Sequence, residues 1–404
     1  MALARVKRVA FYVIMFALAI AVAYVVGEFL VGKFFYSDAY VLTRMVPDST
    51  LGWRPMSGTY WLKPPHSFKK HVISTNHLGL RNKEVEPEEE GTKRIVFLGD
   101  SMVFGEICPV EHTLPVLLES LLNKECPGDR FDVVNAGLIG AGTAQELLLV
   151  KRLTAEGIVG DLYILQVFPN DMLDNAGLSH EDLQQNPLQP VLALDDSGSL
   201  CLKYSPPYRP PNPAGAQPKT KEANNLGRHS MIAEVVRYTF QTMLQTRPGV
   251  IQALGKVGIN VKCPRMPGTV SGWYNEDIVK DGIPLMRVLI REIRDEARAN
   301  GADLLVVFVP STFQVYLDTY LPLLRKTFPG SEIVEAWAKD PNRPQRVTGG
   351  ICSELGIPFL DLLPTMWENH SKSGYVAGEG HLNGTGNRIA ADALSDFVLQ
   401  HIQR

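Results

Sequence analysis

Residues 94–105 read Arg94-Ile95-Val96-Phe97-Leu98-Gly99-Asp100-Ser101-Met102-Val103-Phe104-Gly105, and this stretch decides the fold. A short unbroken apolar run stopped by Gly-Asp-Ser suits a strand buried on both faces, as inside a parallel sheet. Ligands of such sheets bind beyond the carboxyl ends of the strands, so Ser101 is expected on a rigid support at a substrate-facing edge. A free hydroxyl is a weak nucleophile. It needs a base to take its proton and donors to hold the developing oxyanion, and the rest of the chain is read for both.

Downstream, the pattern alternates between strand and helix. Leu114, Leu117, Leu118, Leu121 and Leu122 repeat at helical spacing from near Thr113, with Pro115 tolerated in the first turn. Phe131 to Val134 and Leu162 to Phe168 are predicted strands, and Thr143 with Glu146 gives a capping-box signature before a helix over Leu147 to Leu153. After an interruption, Met286, Leu289, Ile290, Ile293 and Ala297 mark a helix stopped by Asn300 and Gly301. Strands over Leu304 to Val309 and Ile357 to Leu360 follow, then a helix carrying Ile389, Ala393, Leu394, Phe397 and Val398. This alternation predicts an α/β fold of three layers, α/β/α, around a mostly five-stranded parallel sheet.

The interruption spans about residues 172–282 and contains Pro206, Pro207, Pro210, Pro211, Pro213 and Pro218. The proline run reads as an extended surface excursion, and the insertion as a whole as a wall of the binding site, since insertions at strand ends shape pockets.

Donors for an oxyanion are expected after the second and third strands, at Asn135-Ala136-Gly137-Leu138-Ile139-Gly140 and Pro169-Asn170-Asp171. Glycine lets a backbone N–H approach substrate without a Cβ, and an Asn amide supplies a fixed donor. The base is sought in Glu379-Gly380-His381-Leu382-Asn383, a polar, glycine-bearing loop before the final helix. His66, His71, His77, His112, His180, His229, His370 and His401 read as structural or solvated.

These blocks, in this order, resemble the SGNH (GDSL) hydrolases over about residues 94–403. The resemblance implies a flavodoxin-like fold. It implies Ser101 as nucleophile, His381 as general base, and an oxyanion hole made by the backbone N–H groups of Ser101 and Gly140 with the Asn170 side chain. The family usually places an Asp three residues before the catalytic His, where this chain has Gly378. Glu379, two before, is the nearest carboxylate, and some relatives carry the acid at that spacing. No cofactor and no metal are implied. Leu51-Gly52-Trp53-Arg54 and Ser74-Thr75-Asn76-His77-Leu78-Gly79-Leu80-Arg81 resemble the lead-in of membrane-anchored bacterial members.

Near the start, Val9 to Val26 is apolar without interruption and follows Arg5, Lys7 and Arg8. At about 1.5 Å per residue, the stretch 9–31 reaches roughly the 30 Å of a hydrocarbon core, and its basic flank should stay cytoplasmic. The expectation is a single-pass anchor with everything after about Tyr36 extracytoplasmic, on the periplasmic side if the cell has an outer membrane. A cleaved signal peptide is the alternative, since Ala21 and Ala23 form an A-x-A site. The expected layout is a tail (1–8), an anchor (9–31), a lead-in (32–92) and a hydrolase-like domain (93–404).

Composition fits this picture. With 404 residues, 45% of them hydrophobic, the chain has material for a large core. Its 40 basic and 43 acidic residues nearly cancel, so the electrostatic footprint of a nucleic-acid binder is missing. Cys108, Cys126, Cys201, Cys263 and Cys352 show no C-x-x-C spacing, which argues against a zinc or redox motif and leaves disulfide pairing open. The expected activity is ester hydrolysis through an acyl-enzyme, as an esterase or deacetylase acting on an acylated envelope glycan or lipid. Two alternatives stand beside it: O-acyl transfer to a polysaccharide at the same site, and a catalytically weak, membrane-anchored binding or assembly protein.

Overall fold

The computed structural model describes residues 45–62, 71–86, 90–176, 190–204, 266–375 and 380–402, with scattered positions between 12 and 30. The expected anchor falls largely outside these residues. Among the described residues no helix is long and apolar enough to cross a membrane.

The central sheet has five strands: β5 (Thr92–Gly99), β6 (Arg130–Gly137), β7 (Leu162–Val167), β10 (Asp303–Phe308) and β11 (Phe359–Asp361). Their spatial order is β11-β10-β7-β5-β6, and every pairing is parallel. Taken in chain order this is a 2-1-3-4-5 arrangement, whose switch point lies between β5 and β7. Side chains alternate across the sheet. Ile95, Phe97, Val133, Ile164 and Val307 enter one core, while Val96, Leu98, Val134, Leu165 and Val306 enter the other. Burial on both faces is why these strands read as continuous apolar runs.

Three helices, α2 (Leu114–Glu125), α11 (Leu363–Glu368) and α12 (Gly384–Ile402), cover the first face. The second is covered by α3 (Thr143–Ala155), α6 (Glu276–Ala299) and α10 (Arg343–Leu355), with α8 (Leu317–Thr327) and α9 (Glu332–Lys339) beyond them. Two short helices, α1 (Ser101–Phe104) and α4 (Asp171–Asn175), follow β5 and β7 directly, and α7 (Thr312–Val315) follows β10.

Upstream, β1 (Met45–Asp48) pairs with β2 (Gly52–Pro55), and β3 (Gly58–Leu62) with β4 (His71–Thr75), all antiparallel. This lead-in is bonded to the main domain. Arg152 of α3 grips Asp48 through two contacts of 2.8 and 2.7 Å, and Gln145 Nε2 donates to Leu51 O at 2.7 Å.

Within the insertion, β8 (Val191–Leu194) and β9 (Leu200–Tyr204) form a hairpin, and α5 (Gly268–Tyr274) packs on the core through Trp273 and Val270. The proline run lies outside the described residues. The long helix starts at Glu276, ahead of the Met286 pattern and with Pro284 inside it, because Asn275 caps it by accepting from Asp277 N.

The expected capping box at α3 does not form. Thr143 is already helical, with its hydroxyl 3.4 Å from Asp171 Oδ2, and Glu146 is buried. Asn175 of α4 supplies the cap instead, its Oδ1 accepting from Ala144 N at 2.8 Å. Cys108, Cys126, Cys201 and Cys352 are free thiols, and Cys263 lies outside the described residues.

Candidate active site

Ser101 opens α1 at the carboxyl end of β5, where the Asp100 side chain caps the turn by accepting from Met102 N at 2.8 Å. The turn lies tight against the next strand. A Cβ on Gly137 would fall 2.1 Å from Phe104 N, so only glycine there lets α1 sit against β6. From the other side Arg81, buried in the lead-in, donates to the carbonyls of Phe104, Gly105 and Cys108, the last at 2.8 Å.

His381 reaches the same edge from a position 280 residues away, and its Nε2 lies 2.8 Å from Ser101 Oγ. Its loop is stitched down on both sides. Leu382 bridges to Tyr375, while Asn383 donates to the carbonyls of Ser373 and Tyr375 and accepts from the backbone of Thr385 and Gly386 at the start of α12. Burial lowers the imidazole pKa to about 4, because the surroundings disfavour its charged form. At neutral pH the ring is therefore uncharged and able to accept the serine proton. Glu379, expected to orient it, lies outside the described residues, as does Gly378.

One carboxylate beside the pair had no sequence signal. Glu106 is buried, and its Oε1 lies 3.6 Å from His381 Nε2, on the side of the ring that faces Ser101. It follows Gly105 at the end of α1, where no periodicity or motif marks it. His71 Nε2 contacts the Glu106 carbonyl at 2.7 Å, which ties this segment to the lead-in.

The expected oxyanion donors sit on the strands flanking β5. After β6, Leu138 N donates to Gly99 O at 2.9 Å and the chain turns through Gly140 at φ 70, a left-handed conformation that glycine adopts without strain. After β7, Asn170 precedes α4, and its Nδ2 donates to Asp174 Oδ2 at 2.7 Å. An amide nitrogen carries two hydrogens, so this bond fixes the group while leaving a second to donate. Ser101, Gly140, Asn170 and His381 are thus brought to one edge of one sheet.

Beneath that edge lies a buried acidic floor of Asp100, Glu146, Asp171 and Asp174. Desolvation raises Asp100 to about 7, and it raises Glu146 and Asp171 well above the usual carboxylate range, with the charges of Asp100 and Asp174 adding to the effect on both. Glu146 and Asp171 favour their neutral forms. Among the described residues, no group of three or more His, Cys, Asp or Glu side chains is placed to hold a metal ion.

No protein-family model matches the chain, and no curated protein matches it either. Solved structures do overlap it. They include TesA, at 13% identity and a TM-score of 0.37 over 76% of this chain and 98% of that one. A member of the lipolytic protein G-D-S-L family from Veillonella parvula DSM 2008 overlaps at 10% identity, with a TM-score of 0.34 over 75% and 96%. The lipase/acylhydrolase from Enterococcus faecalis overlaps at 12% identity, with a TM-score of 0.34 over 76% and 96%.

Proposed function

We propose that the protein is a serine-dependent ester hydrolase, an esterase or deacetylase that works through an acyl-enzyme. The observation that carries this reading is the 2.8 Å contact between Ser101 Oγ and His381 Nε2, made by an imidazole that burial keeps uncharged. Ser101 Oγ attacks the ester carbonyl carbon as its proton passes to His381 Nε2, and the carbonyl electron pair moves to the oxygen. The N–H groups of Ser101 and Gly140 and the Asn170 amide hold that oxyanion. Collapse expels the alkoxide, which takes the proton back from Nε2 and leaves an acyl-serine. Water then attacks by the same steps in reverse, releasing the acid; a sugar hydroxyl in place of water would make the protein an acyltransferase.

The working location in this reading is outside the cytoplasm, with residues 9–31 as a membrane anchor and an acylated envelope glycan or lipid as substrate. Support comes from the described positions of that stretch. Tyr12, Phe16 and Val25 are helical, and each is 64% or more exposed, the arrangement a lipid-facing helix would have.

A fluorophosphonate probe at neutral pH is expected to label wild-type protein at Ser101. Ser101→Ala should abolish both labelling and hydrolysis of p-nitrophenyl acetate. Absence of labelling on a folded wild-type protein would sink the reading and leave a binding protein in its place.

A further inference from the structure

The peptide unit joining Ile139 to Gly140 is held from behind by the lead-in. Trp53 Nε1 donates to Ile139 O at 2.8 Å. In a planar trans peptide the C=O and N–H point in opposite directions, so a donor that fixes the Ile139 carbonyl also fixes the Gly140 N–H, aimed away from the lead-in. Among the described residues that N–H finds no acceptor, whereas the turn around it is closed by Ala141 N donating to Leu138 O at 3.1 Å. A hydrogen bond to the carbonyl polarises the peptide and makes its N–H a stronger donor.

Trp53 is itself held firmly. Its strand, β2, is paired along its length with β1, and β1 is gripped through Asp48 by Arg152 of α3, the helix that begins just beyond Gly140. The opposite flank of the site repeats the arrangement. Trp273, fully buried on α5, donates through Nε1 to Pro169 O at 2.8 Å, the carbonyl immediately before Asn170. Two of the three expected oxyanion donors, Gly140 and Asn170, thus follow a carbonyl that accepts from an indole N–H.

We infer that Trp53 is a positioning residue for the ester chemistry: its indole N–H sets and polarises the peptide that presents the Gly140 N–H to the oxyanion. The inference rests on the proposed function above, in which Gly140 is a donor to that oxyanion. It makes the lead-in part of the working site. Trp53 touches no reacting atom and acts through one peptide.

Trp53→Phe keeps a ring and removes the donor; benzothienylalanine at position 53 keeps the whole indole shape and replaces N–H by sulfur. With p-nitrophenyl acetate, both are expected to lower kcat about tenfold, with KM changed less than about twofold. Inhibition by a boronic acid, which forms a tetrahedral adduct on serine, should weaken by the same factor. A kcat within about twofold of wild type for the benzothienylalanine protein overturns the inference, even if Trp53→Phe is impaired, because the ring's packing would then be what matters. Ser101→Ala run in parallel separates the two levels: if it is dead while the position-53 variants are normal, only the Trp53 role falls, and if it retains wild-type turnover, the ester reading falls as well.

Discussion

The serine side of the site is welded into the fold, whereas the histidine side is carried on a short crossing of chain. Ser101 follows the strand β5, has its turn capped by Asp100, backs onto Gly137 of β6, and has the three carbonyls beyond it held by one buried guanidinium, that of Arg81. Among the described residues, the His381 loop is held by the bridge between Leu382 and Tyr375, by Asn383 N donating to Gly374 O at 2.9 Å and by the side-chain bonds of Asn383. Tolerance to substitution should therefore lie on the histidine side. A nucleophile must stay at one place on the rigid sheet, while a base needs only the correct reach and direction, which a pinned loop can supply.

The contrast breaks first at Arg81. Arg81→Leu removes a buried donor shared by three carbonyls and is expected to cost about 3 kcal/mol of stability, lowering the melting temperature and reducing labelling of Ser101 together. Thermal unfolding with probe labelling at a temperature well below the transition checks this. Full labelling at normal rate would mean that the nucleophile turn holds itself.

Asn383→Ala sharpens the other side. Its bonds hold the base loop and cap the start of α12, so about 1 kcal/mol of stability should be lost while kcat falls about tenfold, a loss of turnover out of proportion to the loss of fold. Equal effects on both would show the base to be held by something other than Asn383.

The smallest effects come from titration, and the two sides respond in opposite senses. His381 must be neutral to accept a proton, and burial lowers its pKa from the ordinary 6.5 to about 4, so kcat/KM should stay high well below pH 6.5 and fall only near the lower value. Under the serine, Asp100, Glu146 and Asp171 have pKa values raised by burial, so the folded form binds protons that the unfolded chain releases. The stability they contribute is complete below about pH 4 and is lost as pH rises through about 7 and beyond. Melting temperatures should therefore decline from mildly acidic to alkaline buffer, and Glu146→Gln should flatten the decline. A melting temperature that rises over that interval would show these carboxyls to be ionised in the fold.

The fold was legible because a parallel sheet buried on both faces writes itself as apolar runs. Val96 and Phe97 enter different cores, yet both must be apolar. Ser101 and His381 were legible because each sits at an element end where chemistry is sought. Trp53 and Arg81 stand in the lead-in blocks that the sequence marks, but their roles were not legible, and Glu106 carries no mark at all, since action on a backbone carbonyl or across a loop leaves no period. Thr143 and Glu146 misled for a related reason. The spacing was that of a cap, but tertiary burial placed both against the floor of the site and brought Asn175 from another element to do the capping. Pro284 hid the first turns of the long helix, which begins at Asn275's cap and accommodates the imino acid within it.

The 280-residue separation of hydroxyl and imidazole sets the timing of the chemistry. During synthesis the serine turn can be complete long before the loop that bears the imidazole has been made. That loop becomes fixed when α12 docks on α2 and on the turn just before it, where Asn387 Nδ2 donates to His112 O at 2.8 Å. On the proposed mechanism, a fragment that ends before His381 lacks the base, and reactivity toward esters begins at the final docking event.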